Sequence, residues 1–325
     1  MTKIITEEEI LLAKKALDND KLVIFPTETV YGIGANALKE DVVNKIFKAK
    51  GRPSNNPLIV HLKNKDEISK YAYISNEIEQ KLIDTFMPGP FTLILQKKNI
   101  IPNNVTCNMN TVGIRIPIDE VAHHLLDILD YPIAAPSANL SSKPSGTRVS
   151  DIFDEFNGKV SYIIDGGESR IGLESTVCKV IDNVPTILRP GFITKEDIEE
   201  VIGKCHVSEY VLKEAHGKVE SPGMLYKHYS PNTKCLLCDK EKINEIVKQY
   251  KKAIVIGNEE ISCYKFYHYG NDLVTIAHNI FKLLREADKE KADVIIIQSV
   301  EYCDLGLAIM NRLIRTCEYN YIKRN

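Results

Sequence analysis

The sequence predicts an α/β protein in two parts: a larger mixed sheet with helices, followed by a smaller parallel α/β unit. Three observations predict it. Up to about residue 204, short β-branched runs alternate with helical patterns but keep no strict βαβ rhythm. Over residues 208–233 the pattern breaks at Ser221-Pro222-Gly223 and Ser230-Pro231. From about residue 234 a cleaner strand–helix–strand–helix order follows. The parts are therefore residues 1–207, a linker at 208–233, and residues 234–325. A chain of 325 residues that is 44% hydrophobic can bury such a core, and its length favours two domains.

The first expected helix, 7–18, opens on a capping box of Thr6 and Glu9. A start of this kind predicts no secretory leader. Leu22 to Phe25 reads as a short buried strand, stopped by Pro26. Beyond it Thr27, Glu28, Thr29, Gly32 and Gly34 crowd together like one wall of a polar ligand site. The run Gly32-Ile33-Gly34-Ala35-Asn36-Ala37 fits G-x-G-x-x-A, the dinucleotide fingerprint. The context rejects it. The next helix, 42–49, starts late, with Asp41 as its expected N-cap. The acidic residue expected about 20 positions further on is also missing.

Further strands are expected at 58–62, 91–96, 111–116, 132–135, 160–164, 174–181 and 185–189. Helices are expected at 75–86, at 119–129 behind Asp119, and at 194–203 behind Thr194. The second part offers strand 253–257, helix 272–287, strand 293–298 and helix 304–317.

A net charge of −2 argues against a chain whose main task is gripping a polyanion. No apolar run approaches membrane-spanning length. Eight scattered cysteines make no disulfide framework, so reduced thiols and a cytoplasmic location are expected. Cys235-Leu236-Leu237-Cys238 has no second pair with which to build a zinc site.

The chemistry gathers at strand and helix ends. Lys50 and Arg52 leave a helix beside the turn 54–57, and an ammonium next to a forked guanidinium suits a polyphosphate. Arg115 lies in an otherwise apolar strand and needs an anionic partner, either a core carboxylate or a ligand. Ala134 to Asn139, Gly166-Gly167, Gly172 to Thr176 and Leu188 to Gly191 repeat the strand-end pattern, and open α/β sheets bind ligands along such ends. G-x-S-x-G, H-E-x-x-H and EF-hand loops are absent, and Leu173 stands where a P-loop spacing from Gly167 would require lysine. Cations and hydroxyls without a nucleophile suit phosphoryl or nucleotidyl transfer.

Taken together, PTETVYG at 26–32, KGRP at 50–53, NPL at 56–58 with His61, PGPFT at 88–92 and GIRIP at 113–117 resemble the threonylcarbamoyl-AMP synthase family in its long form. PSAN at 136–139, ESTV at 174–177, LRPG at 188–191 and SPGMLYKHYSP at 221–231 extend the resemblance over nearly the whole chain. It implies a YrdC-like twisted mixed sheet and a smaller Rossmann-like domain.

It also implies that L-threonine, bicarbonate or CO2, and ATP give threonylcarbamoyl-adenylate and pyrophosphate, assisted by Mg2+. By the family's pattern Lys50 and Arg52 are catalytic, while Thr29, His61, Arg115, Ala135 and Ser175 hold threonine. Lys50, Arg52, Asn56, Thr111, Ser137, Asn139, Ser145, Arg189 and Tyr229 line the nucleotide, and no protein metal ligand is expected. Tyr226 and His228 share Tyr229's claim to the ATP contact from a linker that closes over the site. The product is expected to pass to the tRNA threonylcarbamoyl transferase machinery.

Two rival readings are an RNA-binding module and a carbamoyl phosphate-dependent carbamoyltransferase. Related domains bind RNA, which leaves a weak RNA contact open, but the chain has no Trp and no aromatic stacking platform. Asp304-Leu305-Gly306 and Asn311-Arg312 read as packing and surface, without a catalytic role.

Overall fold

A computed structural model describes residues 1–213 and 229–324 of the chain. Its elements run β1 (Lys3–Ile5), α1 (Ile10–Asp18), β2 (Val23–Phe25), β3 (Gly32–Asn36), α2 (Glu40–Lys50), β4 (Ile59–His61), α3 (Ile68–Tyr71) and β5 (Ala72–Tyr73). Then come α4 (Glu77–Phe86), β6 (Phe91–Lys97), β7 (Thr111–Arg115), α5 (Glu120–Asp127), β8 (Ile133–Ala134), α6 (Val149–Phe156) and β9 (Tyr162–Ile164). β10 (Thr176–Ile181), β11 (Val184–Arg189), α7 (Lys195–Ile202) and β12 (His206–Val207) complete the first part. The second part holds β13 (Cys235–Cys238), α8 (Lys240–Val247), β14 (Ala253–Gly257), β15 (Lys265–His268), α9 (Leu273–Lys289), β16 (Val294–Gln298), α10 (Leu305–Thr316) and β17 (Tyr321–Ile322).

The first sheet has twelve strands in the order β1-β9-β2-β3-β8-β4-β7-β6-β10-β11-β12, with β5 on β6. Its pairings are mixed: β4 lies parallel to β7, β6 to β10 and β11 to β12, while β7–β6 and β10–β11 are antiparallel. The second sheet, β15-β14-β16-β13-β17, is parallel throughout. Both sheets are covered by apolar helix faces, with α2 and α4 packing into the first core and α9 and α10 into the second.

Several helix starts follow their caps. The Glu9 carboxylate accepts from the Thr6 N–H at 3.3 Å, and Asp119 Oδ1 accepts from the Ala122 N–H at 3.0 Å. Thr194 Oγ1 accepts from the Asp197 N–H at 3.2 Å, and Asp197 Oδ2 accepts in return at 2.8 Å. Other expectations need correcting. The expected helix 7–18 is a 3-10 turn at Glu7–Glu9 followed by α1. The helix expected at 42–49 behind Asp41 begins at Glu40, with Lys39 in the cap position and Asp41 inside the first turn.

The largest correction is β3. Gly32 and Gly34, expected on the wall of a polar ligand site, belong to a buried strand antiparallel to β2 that was not among the expected strands. A Cβ on Gly34 would lie 2.8 Å from Ile133 Cγ2 and 2.9 Å from Phe25 Cε1, so the glycine lets the strand pass beneath these two side chains. Cys235 and Cys238 also lie in a strand, the unexpected β13. Three residues apart, they face the two opposite cores of the sheet and cannot chelate together.

Candidate active site

The ends of β4, β7, β8, β10 and β11 meet the C-terminus of α2 around one pocket. Among the described residues its wall holds Lys50, Arg52, Asn56, His61, Arg115, Ala135, Ser137, Asn139, Ser175, Arg189 and Tyr229, all expected from the sequence. Glu174, Ser141 and Ser142 line it too and were assigned no role in advance.

On one side the β4–β7 register sets His61 beside Arg115. Arg115 Nη2 donates to Glu28 Oε1 at 2.7 Å and to Thr29 Oγ1 at 2.8 Å. The anionic partner that Arg115 required is thus present within the chain. Thr29 stands behind Arg115 rather than on the wall. His61 is buried, and its Nδ1 lies 3.3 Å from the Ile59 carbonyl. Burial, seconded by the Arg115 charge, pushes the imidazole down to about 3, so it is neutral at physiological pH.

The opposite side is cationic. Gly51 takes a left-handed φ of 60° and ends α2, turning the chain so that Lys50 and Arg52 enter the same pocket. Lys50 Nζ donates to the carbonyls of Ser137 and Asn139. Burial first, and then the Arg52 charge, hold its ammonium well below its ordinary value. Arg52 Nη2 donates to the carbonyls of Asn56 at 3.2 Å and Pro57 at 3.1 Å, and burial pushes its guanidinium down to about 10. Ser137 Oγ donates to Asn139 Oδ1 at 2.6 Å, and the Asn139 amide donates to the Leu140 carbonyl at 2.7 Å.

The third side comes from β10 and β11. Arg189 donates to the Ser175 carbonyl at 2.9 Å and to Ser175 Oγ at 3.1 Å, while Thr92 Oγ1 lies 2.8 Å from that hydroxyl. Burial pushes Arg189 down to about 10 as well. Ser145 lies behind this wall and donates to Glu174 Oε1 at 2.5 Å. Desolvation would raise the Glu174 carboxyl, but Arg312 and Arg189 outweigh it and hold the carboxyl below its ordinary value.

Thr111 does not reach the pocket. It begins β7 opposite Gln96, four residues from Arg115, which is roughly 13 Å along a strand. Tyr229 is on the wall, stacked on Phe281 of α9 with ring centroids 5.1 Å apart. Tyr226 and His228 lie outside the described residues. Of the packing and surface expected for Asn311 and Arg312, only packing holds: both are buried, and Arg312 is fully so. The sequence carried a signal for this, since the pair is flanked by Ile309-Met310 and Leu313-Ile314.

Three buried polar atoms at this pocket have no partner among the described residues: Arg52 Nε, Asn56 Oδ1 and Arg115 Nε. Glu28 Oε2, beside Arg115, makes a fourth. Such groups are rare in a folded interior, and their gathering at a cationic pocket points to an anionic ligand that is itself rich in donors and acceptors.

Residues 15–191 match the family model described as Telomere recombination, and residues 193–317 match that of the Threonylcarbamoyl-AMP synthase, C-terminal domain. The threonylcarbamoyl-AMP synthase of Pyrococcus abyssi is 41% identical over 98% of this chain and 97% of its own length. This chain belongs to the threonylcarbamoyl-AMP synthase family. The Bacillus subtilis threonylcarbamoyl-AMP synthase is 40% identical over 95% of this chain and 93% of its own length. A crystal structure of P. abyssi Sua5 complexed with L-threonine superposes with a TM-score of 0.97 at 40% identity, covering all of both chains.

As a threonylcarbamoyl-AMP synthase, the chain supplies the first step of tRNA threonylcarbamoyladenosine modification. The two rival readings give way to this activity. No helix among the described residues is long and apolar enough to cross a membrane.

Proposed function

We propose that this pocket joins L-threonine, bicarbonate or CO2, and ATP in one adenylylation. The threonine amine adds to CO2 and loses a proton, giving the N-carboxylate. A carboxylate oxygen then attacks the α-phosphorus of ATP, and the bond to the β-phosphate oxygen breaks. Pyrophosphate leaves with the electron pair. Carbamate formation needs no enzymic nucleophile. The pocket's residues supply position and positive charge.

In this reading Arg115, backed by Thr29, takes the threonine carboxylate, with His61, Ala135 and Ser175 around the rest of the amino acid. The neutral imidazole suits a hydroxyl partner better than a second cation would. Lys50 and Arg52 face the triphosphate, and Asn56, Ser137, Asn139, Arg189 and Tyr229 line the nucleotide with Ser145 behind them. Burial weakens the charged state of Lys50, Arg52 and Arg189, and an arriving polyanion restores it.

The pocket's carboxylates do not suit a protein-held Mg2+. Glu174 is engaged by Ser145 and Arg312, Glu28 by Arg115, and the described residues form no acidic cluster that could cage a cation. A Mg2+ that accompanies ATP belongs to the substrate. We further assign residues 1–207 as the catalytic part and 234–325 as the smaller domain, acting in the cytoplasm; most of the linker expected at 208–233 lies outside the described residues. The product passes to the tRNA threonylcarbamoyl transferase machinery.

The observation that carries this reading is the set of unpartnered donors and acceptors on Arg52, Asn56 and Arg115 around one cationic pocket. Pyrophosphate release by the purified chain tests it. Release that requires both threonine and bicarbonate is expected, and release indifferent to them would overturn the reading.

A further inference from the structure

Arg312 lies on α10, in the smaller domain, yet it is fully buried and reaches the pocket wall of the other domain. Its Nε donates to Glu174 Oε2 at 3.1 Å, and its Nη2 reaches the Glu174 carbonyl at 3.4 Å. Its Nη1 donates to the Pro190 carbonyl at 2.6 Å and to Asn311 Oδ1 at 2.9 Å. One guanidinium therefore grips the backbone on both sides of the pocket's third wall: the ESTV turn before β10 and the LRPG turn after β11. The two turns touch each other, because a Cβ on Gly191 would lie 2.4 Å from the Thr176 nitrogen.

The grip continues into the pocket along two routes. Glu174 Oε1, the oxygen Arg312 does not use, accepts from Ser145 Oγ at 2.5 Å. The Arg312 guanidinium also stands 5.8 Å from the centre of the Tyr229 ring, whose other neighbour is Phe281. Tyr229 is held further by its carbonyl, which accepts from Thr316 Oγ1 of the same helix at 3.2 Å. A buried charge with this many partners is costly to install and rigid once installed. Packing alone would be met by an apolar side chain of similar volume.

We propose that Arg312 is a positioning residue for the nucleotide side of the pocket. It acts through Glu174 on Ser145 and directly on Tyr229, so that the smaller domain completes the active site of the larger one. This deepens the function proposed above and rests on its assignment of Ser145 and Tyr229 to the nucleotide. Arg312 touches neither substrate. Its effect is on how the groups around ATP are aimed.

Steady-state pyrophosphate release by the full chain tests this, with ATP and threonine varied separately. The variants are Arg312→Met, Glu174→Gln, the two combined, and Glu286→Gln. The last removes a different contact between the domains, the 2.8 Å pair with Arg148 away from the pocket. Arg312→Met is expected to raise the ATP KM about tenfold or more, with the threonine KM changed less than about threefold. Adding Glu174→Gln to it should recover part of the loss, because no carboxylate is then left unpaired. Glu286→Gln should leave both KM values as they were.

An Arg312→Met enzyme that melts earlier yet keeps the wild-type ATP KM would overturn the proposal, leaving Arg312 a structural clamp. Equal rises in both KM values would overturn it as well. Should Arg312→Met fail to fold, Glu174→Gln decides alone, since it keeps an acceptor for Arg312 and spares the contacts to Pro190 and Asn311. A raised ATP KM supports the proposal, and an unchanged one ends it. If the wild-type chain releases pyrophosphate without needing threonine, it is the assignment of function that has failed.

Discussion

Two buried arginine–glutamate pairs flank the same pocket, and they differ in what they leave undone. Arg115 and Glu28 are 6% and 1% exposed, and Arg312 and Glu174 are 0% and 7% exposed. By burial alone they are the same object. The Arg312 pair uses all three guanidinium nitrogens and both carboxylate oxygens. The Arg115 pair leaves Arg115 Nε and Glu28 Oε2 without a partner. A saturated pair fixes a shape, whereas an unsaturated one waits for something to bind. The burial of a salt bridge therefore says little about its role until its remaining valences are counted.

The sharpest way to break this comparison is to remove the unsaturated arginine. Arg115→Ala should cut threonine-dependent kcat/KM by about 100-fold or more, since truncating one partner of a buried charge pair formed on binding costs about 2–5 kcal/mol. Pyrophosphate release measured against threonine concentration checks it. Unchanged threonine kinetics would mean that Arg115 holds the wall in shape and does not bind the amino acid.

The neighbour of that pair gives the next effect, read in pH. His61 sits at about 3 in the folded chain against an ordinary value of 6.5, through burial and then the Arg115 charge. Between those values the unfolded chain carries a proton that the native one lacks, so stability rises with pH across this window. It is fully present above about 6.5 and is lost as pH falls towards about 3, a contribution of order 3–5 kcal/mol. His61→Gln should flatten this acid slope in denaturant titrations. The His61 ring resonances of the wild type should stay flat from about pH 5 to 8. A ring that titrates near 6.5 would show the pocket to be wetter and less cationic than drawn here.

The saturated pair can be probed through its seat. Gly191→Ala would place a Cβ 2.4 Å from the Thr176 nitrogen and 2.7 Å from the Glu174 carbonyl oxygen, with only backbone there to give way. A loss of about 1–3 kcal/mol is expected, measured as a lower denaturant midpoint. An unchanged midpoint would mean that the two turns are not locked together.

Most of the pocket wall was legible in the sequence because polar and cationic residues there interrupt apolar runs at strand ends or close a helix. Lys50, Arg52, Ser137, Asn139, Ser175 and Arg189 all carry that local signature. Glu28's bond to Arg115 was half legible: the need for an anion was plain, but its source lies 87 residues away. β3 was missed because two close glycines look like a loop. Its strand character comes from Phe25 and Ile133, which leave no room for a side chain over Gly34. Arg312 was read only as packing and surface, because one arginine in an amphipathic helix gives no sign of an inward partner. The carboxylate that draws it inward is 138 residues earlier in the chain.

The smallest expected effect is the most discriminating between the two pairs. Thr29 Oγ1 is the second acceptor of Arg115 Nη2, at 2.8 Å, and it also lies 2.8 Å from Thr27 Oγ1. Thr29→Val keeps the shape and deletes the acceptor, which costs about 1 kcal/mol for a hydrogen bond of this kind. If Arg115 is poised for a ligand, the loss falls on binding: the threonine KM should rise about fivefold with kcat little changed. If the pair is instead a structural clamp, the same loss should appear in the melting temperature and leave the threonine KM alone. Thr29→Ser, which keeps the hydroxyl, should return the KM to near its original value in the first case and should not be needed in the second.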